Sequence, residues 1–261
     1  MMITGNNFDL RKKVKARLEQ GGIEFADFEA NQLVATFSDG QLETALCRRL
    51  SGEPLQYILG EWEFYGITLK CDSRALIPRA DTETLVDQSL AFLKNKSQAK
   101  IIDVCSGTGC IALAVAKHSG FEVMALEKYD QTYNLLCENI KLCGLNVKAI
   151  KGDLFDGIDQ KFDLIVSNPP YIPAKDIDTL QKEVGFEPKA ALDGGADGLD
   201  FYRALAKIWV PCLNSGGMLA VEIGIGQEND VKALFEKANL KDIRFYKDLC
   251  GIIRVVSGLK Y

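Results

Sequence analysis

At 261 residues, 47% of them hydrophobic, the chain has room for two domains or for one large domain with an appendage, and ample material for a core. A net charge of −5 and a pI near 5.2 exclude a protein whose affinity rests on broad phosphate neutralisation, although local nucleic-acid contacts stay open. No apolar run approaches the ~18 residues that span a bilayer, and residues 1–30 mix Arg11, Lys12, Lys13, Lys15 and Arg17 with acids, so neither a membrane span nor a secretory signal is expected.

The first fifty residues read as helices without strands. Phe8, Val14 and Leu18 mark one apolar stripe, Phe25, Phe28, Leu33 and Phe37 a second, and Leu42, Ala45, Leu46 and Leu50 a third, with Gly21-Gly22 and Asp39-Gly40 as breaks. Residues 56–71 change character: Tyr57, Ile58, Trp62, Phe64, Tyr65, Ile67 and Leu69, punctuated by Gly60 and Gly66, predict a β-hairpin. The expected division is a helical domain over 1–52, a hairpin connector over 53–73 and a larger domain over 74–261.

Beyond Pro78 helix and strand patterns alternate. Asp81 is expected to cap a helix running to about Lys94, after an apolar strand ending at Leu76-Ile77. Strands are predicted over 100–105, 122–127, 147–151, 162–166, 218–223, 243–246 and 252–257, with helices between most of them. Repeated β-α-β units force right-handed crossovers and a mostly parallel sheet with helices on both faces. The loop over 247–251 is too short for a parallel crossover, so the last of the seven strands should run antiparallel.

The eight cysteines are scattered with no C-x-x-C pair, and His118 is the only histidine, so no metal is expected; the thiols read as small buried hydrophobes in a reducing cytoplasm. His118 sits near a helix end, where a partial positive charge has a place without catalysis.

Four segments carry chemistry. Cys105-Ser106-Gly107-Thr108-Gly109 joins a strand to a helix, where glycines permit close backbone approach to a ligand and the helix N-terminus presents free N–H groups. Glu127 ends the next strand, the station of a carboxylate that accepts ribose hydroxyls. Gly107, Gly109 and Ala112 also match a dinucleotide-type G-x-G-x-x-A, so this turn alone leaves an NAD-dependent enzyme open. Asp153 and Leu154 follow the third strand, where an acid can accept an exocyclic adenine amine and an aliphatic side chain can cover the ring; a plain loop reads equally well.

Arg79 stands beside the glycine turn as a cation for an anionic group, with Glu83 close by in the first helical turn. Residues 186–198 read as a turn-rich lid, since Asp193, Asp197 and Asp200 lack the spacing of a calcium loop. Asn168-Pro169-Pro170-Tyr171 follows the fourth strand. Proline fixes φ and removes donors, and Asn168, preceding proline, is pushed to an extended conformation that projects its amide. The segment offers a side-chain carbonyl, a backbone carbonyl and an aromatic face, which suits a planar, uncharged NH2 group; the plain alternative is a stiff turn.

Together, Gly52-Glu53-Pro54-Leu55-Gln56-Tyr57-Ile58-Leu59-Gly60, Glu63-Phe64-Tyr65-Gly66, Ile77-Pro78-Arg79-Ala80-Asp81-Thr82-Glu83, Ser167-Asn168-Pro169-Pro170-Tyr171-Ile172-Pro173 and residues 187–203 resemble the HemK/PrmC family of protein-(glutamine-N5) methyltransferases. The resemblance covers the chain from about residue 50 onward. It implies an α/β class I SAM-dependent methyltransferase fold, Rossmann-like, with a small N-terminal all-helical domain that docks the substrate. S-adenosyl-L-methionine would be the methyl donor and class 1 peptide chain release factors the substrate, methylated on the glutamine of their Gly-Gly-Gln loop.

Carried over by residue, Asn168, Pro169 and Tyr171 would be catalytic, with Pro170 completing the substrate loop. Cys105, Ser106, Gly107, Thr108, Gly109, Glu127, Asp153, Leu154, Asn168 and Arg79 would hold the cofactor. Three positions depart from the family pattern: Cys105 stands where glycine is usual, Glu127 where aspartate is, and Leu154 where an aromatic residue is sometimes found. A cytoplasmic monomer is expected. A nucleic-acid amino-methyltransferase shares fold, cofactor and loop but would need a basic target-recognition surface. An NAD-dependent oxidoreductase leaves the N-P-P-Y loop without a task, and a noncatalytic cofactor-binding adaptor leaves Asn168 and Tyr171 without one.

Overall fold

The computed structural model describes residues 5–261. Three helices, α1 (Gly5–Gln20), α2 (Ala26–Thr36) and α3 (Asp39–Leu50), precede a short α4 (Leu55–Leu59). Their common core is Val14, Leu18, Ala26, Ala30, Leu33, Leu42, Ala45 and Leu46. The three aromatics Phe8, Phe25 and Phe28, expected on the buried stripes, are exposed, and Ala26, Ala30 and Leu33 are the residues of α2 that enter the core. The third helix begins at Asp39 itself, so Asp39-Gly40 opens a helix and does not separate two.

The hairpin is shorter than expected. Residues 55–59 are helical, and β1 (Glu61–Phe64) pairs antiparallel with β2 (Ile67–Lys70) across Tyr65-Gly66. Both turn residues have positive φ, 48° and 71°, the geometry whose twist matches two antiparallel strands. Phe64, Ile67 and Leu69 enter the core of the main sheet. Residues 74–77 form an irregular segment where a strand was expected. No side chain caps α5 (Glu83–Leu93), which follows a 3-10 turn over Ala80–Thr82. Asp81 pairs at 2.9 Å with Arg254 and Glu83 accepts from the Tyr65 amide at 3.1 Å, so tertiary partners outcompete capping for both acids.

The large sheet holds β3 (Ile101–Val104), β4 (Val123–Glu127), β5 (Val147–Lys151), β6 (Phe162–Ser167), β7 (Leu213–Glu222), β8 (Lys241–Lys247) and β9 (Ile253–Leu259), in the order β5-β4-β3-β6-β7-β9-β8. The last strand is antiparallel, as its short preceding loop requires, and lies between β7 and β8. Helices α5, α6 (Cys110–Ser119) and α7 (Asp130–Cys143) cover one face, and α8 (Asp200–Ala204) with α9 (Glu228–Lys237) the other. The chain first adds strands on one side of β3 and then returns to add β6 on the other. This switch of direction opens a crevice at the C-terminal ends of β3 and β6.

Two buried polar side chains tie the peripheral pieces to this sheet. Asn139 on α7, fully buried, accepts from the Lys70 amide at 2.8 Å and donates to the carbonyls of Lys70 and Thr108, so it joins the hairpin to the turn after β3. Arg49 on α3 is paired with Glu29 on α2 at 2.6 Å and with Glu183 in the excursion between β6 and α8 at 2.6 Å. Removing one partner of a buried ion pair strands the other in a poorly solvated place. Arg49→Ala should therefore lower stability by about 3–5 kcal/mol, whereas Arg48→Ala, whose pair with Glu53 is far more exposed, should cost about 1 kcal/mol or less in urea unfolding.

Candidate active site

The turn after β3 is held from below. Ser106 donates its amide to Leu126 O at 3.0 Å and its hydroxyl to Asp103 O at 2.8 Å. Asp103 is wholly buried; Oδ2 accepts the Ala112 amide at 3.2 Å while Oδ1 has no partner, and burial pushes its carboxyl up to about 8. Glu127, at the end of β4, turns back over the same loop, Oε2 accepting from Gly107 N at 3.1 Å and Oε1 from Tyr129 N at 2.9 Å. Burial raises the Glu127 pKa, and these N–H groups oppose the rise.

Above the turn lies a cavity of about 750 Å³, within the size range of sites that enclose a small organic ligand. Of the residues singled out from sequence, Arg79, Cys105, Ser106, Gly107, Thr108, Glu127, Asp153, Leu154, Asn168 and Pro170 all reach its wall. Nothing stands within 4 Å of the place where a Cβ on Gly107 would project, so the backbone there is open to a ligand. The N-terminal residues of α6, Cys110 and Ile111, complete that side.

Three of the singled-out residues lie off the wall. Gly109 begins α6 with φ 84° and packs against α7, where an added Cβ would come within 2.5 Å of Leu136. Pro169 is buried behind the wall and Tyr171 is half-buried, turned toward Gly224 and Glu222. Burial, then Glu222, pushes the Tyr171 phenol up to about 12, so it stays neutral.

Two expected ligand-binding charges have protein partners. Arg79 pairs with the buried Glu187, whose other oxygen accepts the Ile77 amide at 3.0 Å. Asp153 pairs with Lys128 at 2.8 Å and accepts from Phe155 N at 3.0 Å; burial raises its pKa, but these partners outweigh it and hold the carboxyl below its usual value. Asp197 and Asp200 both pair with Arg203, and among the described residues no cluster of potential metal ligands occurs.

The excursion after β6 is built around the N-P-P-Y loop. Ile172 donates to Leu192 O and accepts from Gly194 N, so the 192–198 segment lies alongside residues 170–172. A Cβ on Gly198 would fall 2.3 Å from Tyr171 O, and that carbonyl also receives Gln227 Nε2 at 3.0 Å. Asn168 Nδ2 points to Thr82 Oγ1 at 3.3 Å.

The family description "Methyltransferase small domain" matches residues 82–192. A release factor glutamine methyltransferase of Geobacter sulfurreducens is 44% identical over 216 residues, covering 82% of this chain and 75% of that protein. One of Haemophilus influenzae is 35% identical over 250 residues, covering 90% and 84%. The chain belongs to the release factor glutamine methyltransferase family. A methyltransferase structure from Pyrococcus furiosus, 18% identical with TM-score 0.54, covers 86% of this chain and 99% of its own, and shows that the fold of this family is the common methyltransferase one.

Within the family's glycine turn, Cys105 has φ 65°, a left-handed conformation that glycine adopts freely and a residue with a Cβ does not. Its thiol is no compensation as a nucleophile: burial, then Glu127, holds the pKa well above the ordinary thiol value. Replacing Cys105 with glycine should relieve backbone strain of roughly 1 kcal/mol net of the added chain entropy and raise Tm by ~2–4 °C in a thermal melt.

Proposed function

We infer that the chain transfers a methyl group from S-adenosyl-L-methionine to the side-chain nitrogen of the glutamine in the Gly-Gly-Gln loop of class 1 release factors. The observation that carries this reading is that Asn168 reaches the same cavity wall as the glycine turn and Glu127. The residues present fit the cofactor: an open backbone at Gly107, a helix N-terminus, a wall carboxylate at Glu127 whose oxygens each keep a second lone pair for ribose hydroxyls, and Leu154 and Asp153 for an adenine. That group supplies the electrophilic methyl.

Everything else falls to the protein and its substrate. A glutamine amide nitrogen is a poor nucleophile because its lone pair is delocalised into the carbonyl. Asn168 Oδ1 and the Pro169 carbonyl would accept its two hydrogens and turn the lone pair toward the methyl; Tyr171, which lies off the wall here, would have to turn toward the cavity to meet the amide plane. Both acceptors would stabilise the positive charge that the amide nitrogen gains on accepting a methyl group. Orientation of this kind is worth ~7 kcal/mol or more. The surplus proton on nitrogen leaves to water, so no histidine is needed. Arg79 would act by holding Glu187 and the floor of the cavity.

The helices of residues 5–50 serve in this reading as the docking domain for the release factor, with the hairpin as connector to the catalytic domain over 74–261. A monomer in the cytoplasm completes this reading, in keeping with eight scattered cysteines that form no C-x-x-C pair.

Asn168→Ala should leave cofactor binding measurable by calorimetry while methyl transfer falls roughly 100- to 1000-fold, the loss typical of one oriented polar group. Labelled cofactor with purified release factor, its glutamine-to-alanine loop variant and DNA as acceptors distinguishes the readings. Label should enter the unaltered release factor alone. Incorporation into DNA would support an amino-methyltransferase of nucleic acid instead.

A further inference from the structure

Glu222 ends β7 and is 2% exposed, and its Oε2 is buried without a hydrogen-bond partner. A carboxylate in that position is costly, so a use for it is to be sought among its neighbours. The parallel register pairs Ser167 with Val221. The next residues out, Asn168 and Glu222, therefore leave the sheet side by side and on the same face. Thr82, also 2% exposed, closes the group from the turn before α5, its Oγ1 receiving Asn168 Nδ2 at 3.3 Å. The amide nitrogen of Asn168 thus faces Thr82, with Glu222 beside it at the strand end, and Asn168 also reaches the cavity wall.

We propose that Glu222 is a positioning residue for methyl transfer: its ionised carboxylate accepts from the Asn168 NH2 group, holds the amide in one orientation, and draws electron density toward Oδ1. A more electron-rich Oδ1 is a stronger acceptor for the hydrogens of the substrate amide. This deepens the preceding reading and rests on Asn168 being the group that grips the glutamine.

The surroundings make the charge conditional. Around Glu222 stand Thr82 and Asp81 from the turn before α5, Asn168 and Tyr171 from the loop after β6, and Arg254 from β9, while Tyr202 on α8 donates to its backbone oxygen at 2.9 Å. Burial pushes the carboxyl up to about 7, with Thr82, Arg254 and Asn168 opposing and Asp81 adding to the rise. Arg254 is committed to Asp81 at 2.9 Å and Asp248 at 3.1 Å, so Glu222 has no dedicated cation.

Two pH dependences of opposite sign follow. Turnover needs the ionised form and rises with pH through about 7. Stability runs the other way: the folded protein binds this proton more tightly than the unfolded chain, so Glu222 lowers stability progressively as pH rises from its ordinary value of 4.5 to about 7.

The test is a double-mutant cycle of Glu222→Gln and Asn168→Ala, with single-turnover methyl transfer to purified release factor measured across pH, cofactor affinity by calorimetry, and thermal melts at pH 8. Glu222→Gln should reduce kcat about 10- to 100-fold, the size of effect seen when the partner orienting a reactive group is lost. KM for the release factor and cofactor affinity should not change, the acid limb near neutrality should disappear, and Tm at pH 8 should rise. In the Asn168→Ala background the same change should have no further effect. Undiminished turnover, a persisting acid limb, losses that add to those of Asn168→Ala, or a lowered Tm in Glu222→Gln would each overturn the proposal. An active Asn168→Ala enzyme would instead overturn the reading of Asn168 itself, independently of what Glu222 does.

Discussion

Burying a carboxylate is unfavourable unless protein groups replace the water it loses, and four acids around one cavity meet this constraint in different ways. Glu127 receives two backbone amides, and Glu187 a backbone amide and the Arg79 guanidinium. Asp103 and Glu222 are each left with one oxygen unpartnered. The satisfied pair shape the walls: Glu127 closes the glycine turn and Glu187 holds the segment over 77–79 against the excursion after β6. The unsatisfied pair lie at the ends of neighbouring structure, Asp103 beneath the turn and Glu222 beside Asn168, where their protonation is sensitive to surroundings. The proposed chemistry depends on this uneven satisfaction, because a fully neutralised Glu222 would have nothing to offer the Asn168 amide.

The sheet supplies the geometry that brings the acids together. Reversal of strand order between β3 and β6 opens the crevice, and the parallel direction of β3, β4, β6 and β7 sends Cys105, Glu127, Asn168 and Glu222 to the same edge. The N-P-P-Y loop is then braced from outside by the 192–198 segment, where Gly198 lets two backbones approach, and by Gln227 from the start of α9. Arg49 extends the bracing to the N-terminal helices through Glu183 in the same excursion. The N-terminal helices are thus tied to the same excursion that braces the N-P-P-Y loop.

Much of this was legible in the chain. The alternating helix and strand patterns, the antiparallel final strand, the glycine turn and the N-P-P-Y segment are local signals: each depends on residues adjacent in sequence. What local signals misjudged were residues whose partners are distant. Asp81 has the position of a cap but pairs with Arg254, and Arg79 has the look of a free cation but meets Glu187, a hundred positions on. Phe25 and Phe28 fit a helical stripe, yet smaller neighbours took the interior. Thr82 stands within a family motif and Glu222 within an expected strand, but neither carried a role there. The one hint was a glutamate closing an otherwise apolar strand, Leu219-Ala220-Val221-Glu222, where a charge is out of place unless it is used or paired.

By itself, then, the sequence determined the seven strands of the large sheet and their order, the family to which the chain belongs, and the two short segments that meet at the crevice. These are matters of periodicity, turn chemistry and motif, and they are written within a few residues of one another. Only the tertiary structure decided which charges are free and which are spent on each other, that Cys105 occupies a left-handed conformation, and that Asn168 emerges beside a buried carboxylate. Those outcomes depend on strand register and on desolvation. Both arise when segments far apart in the chain come together and water is excluded between them.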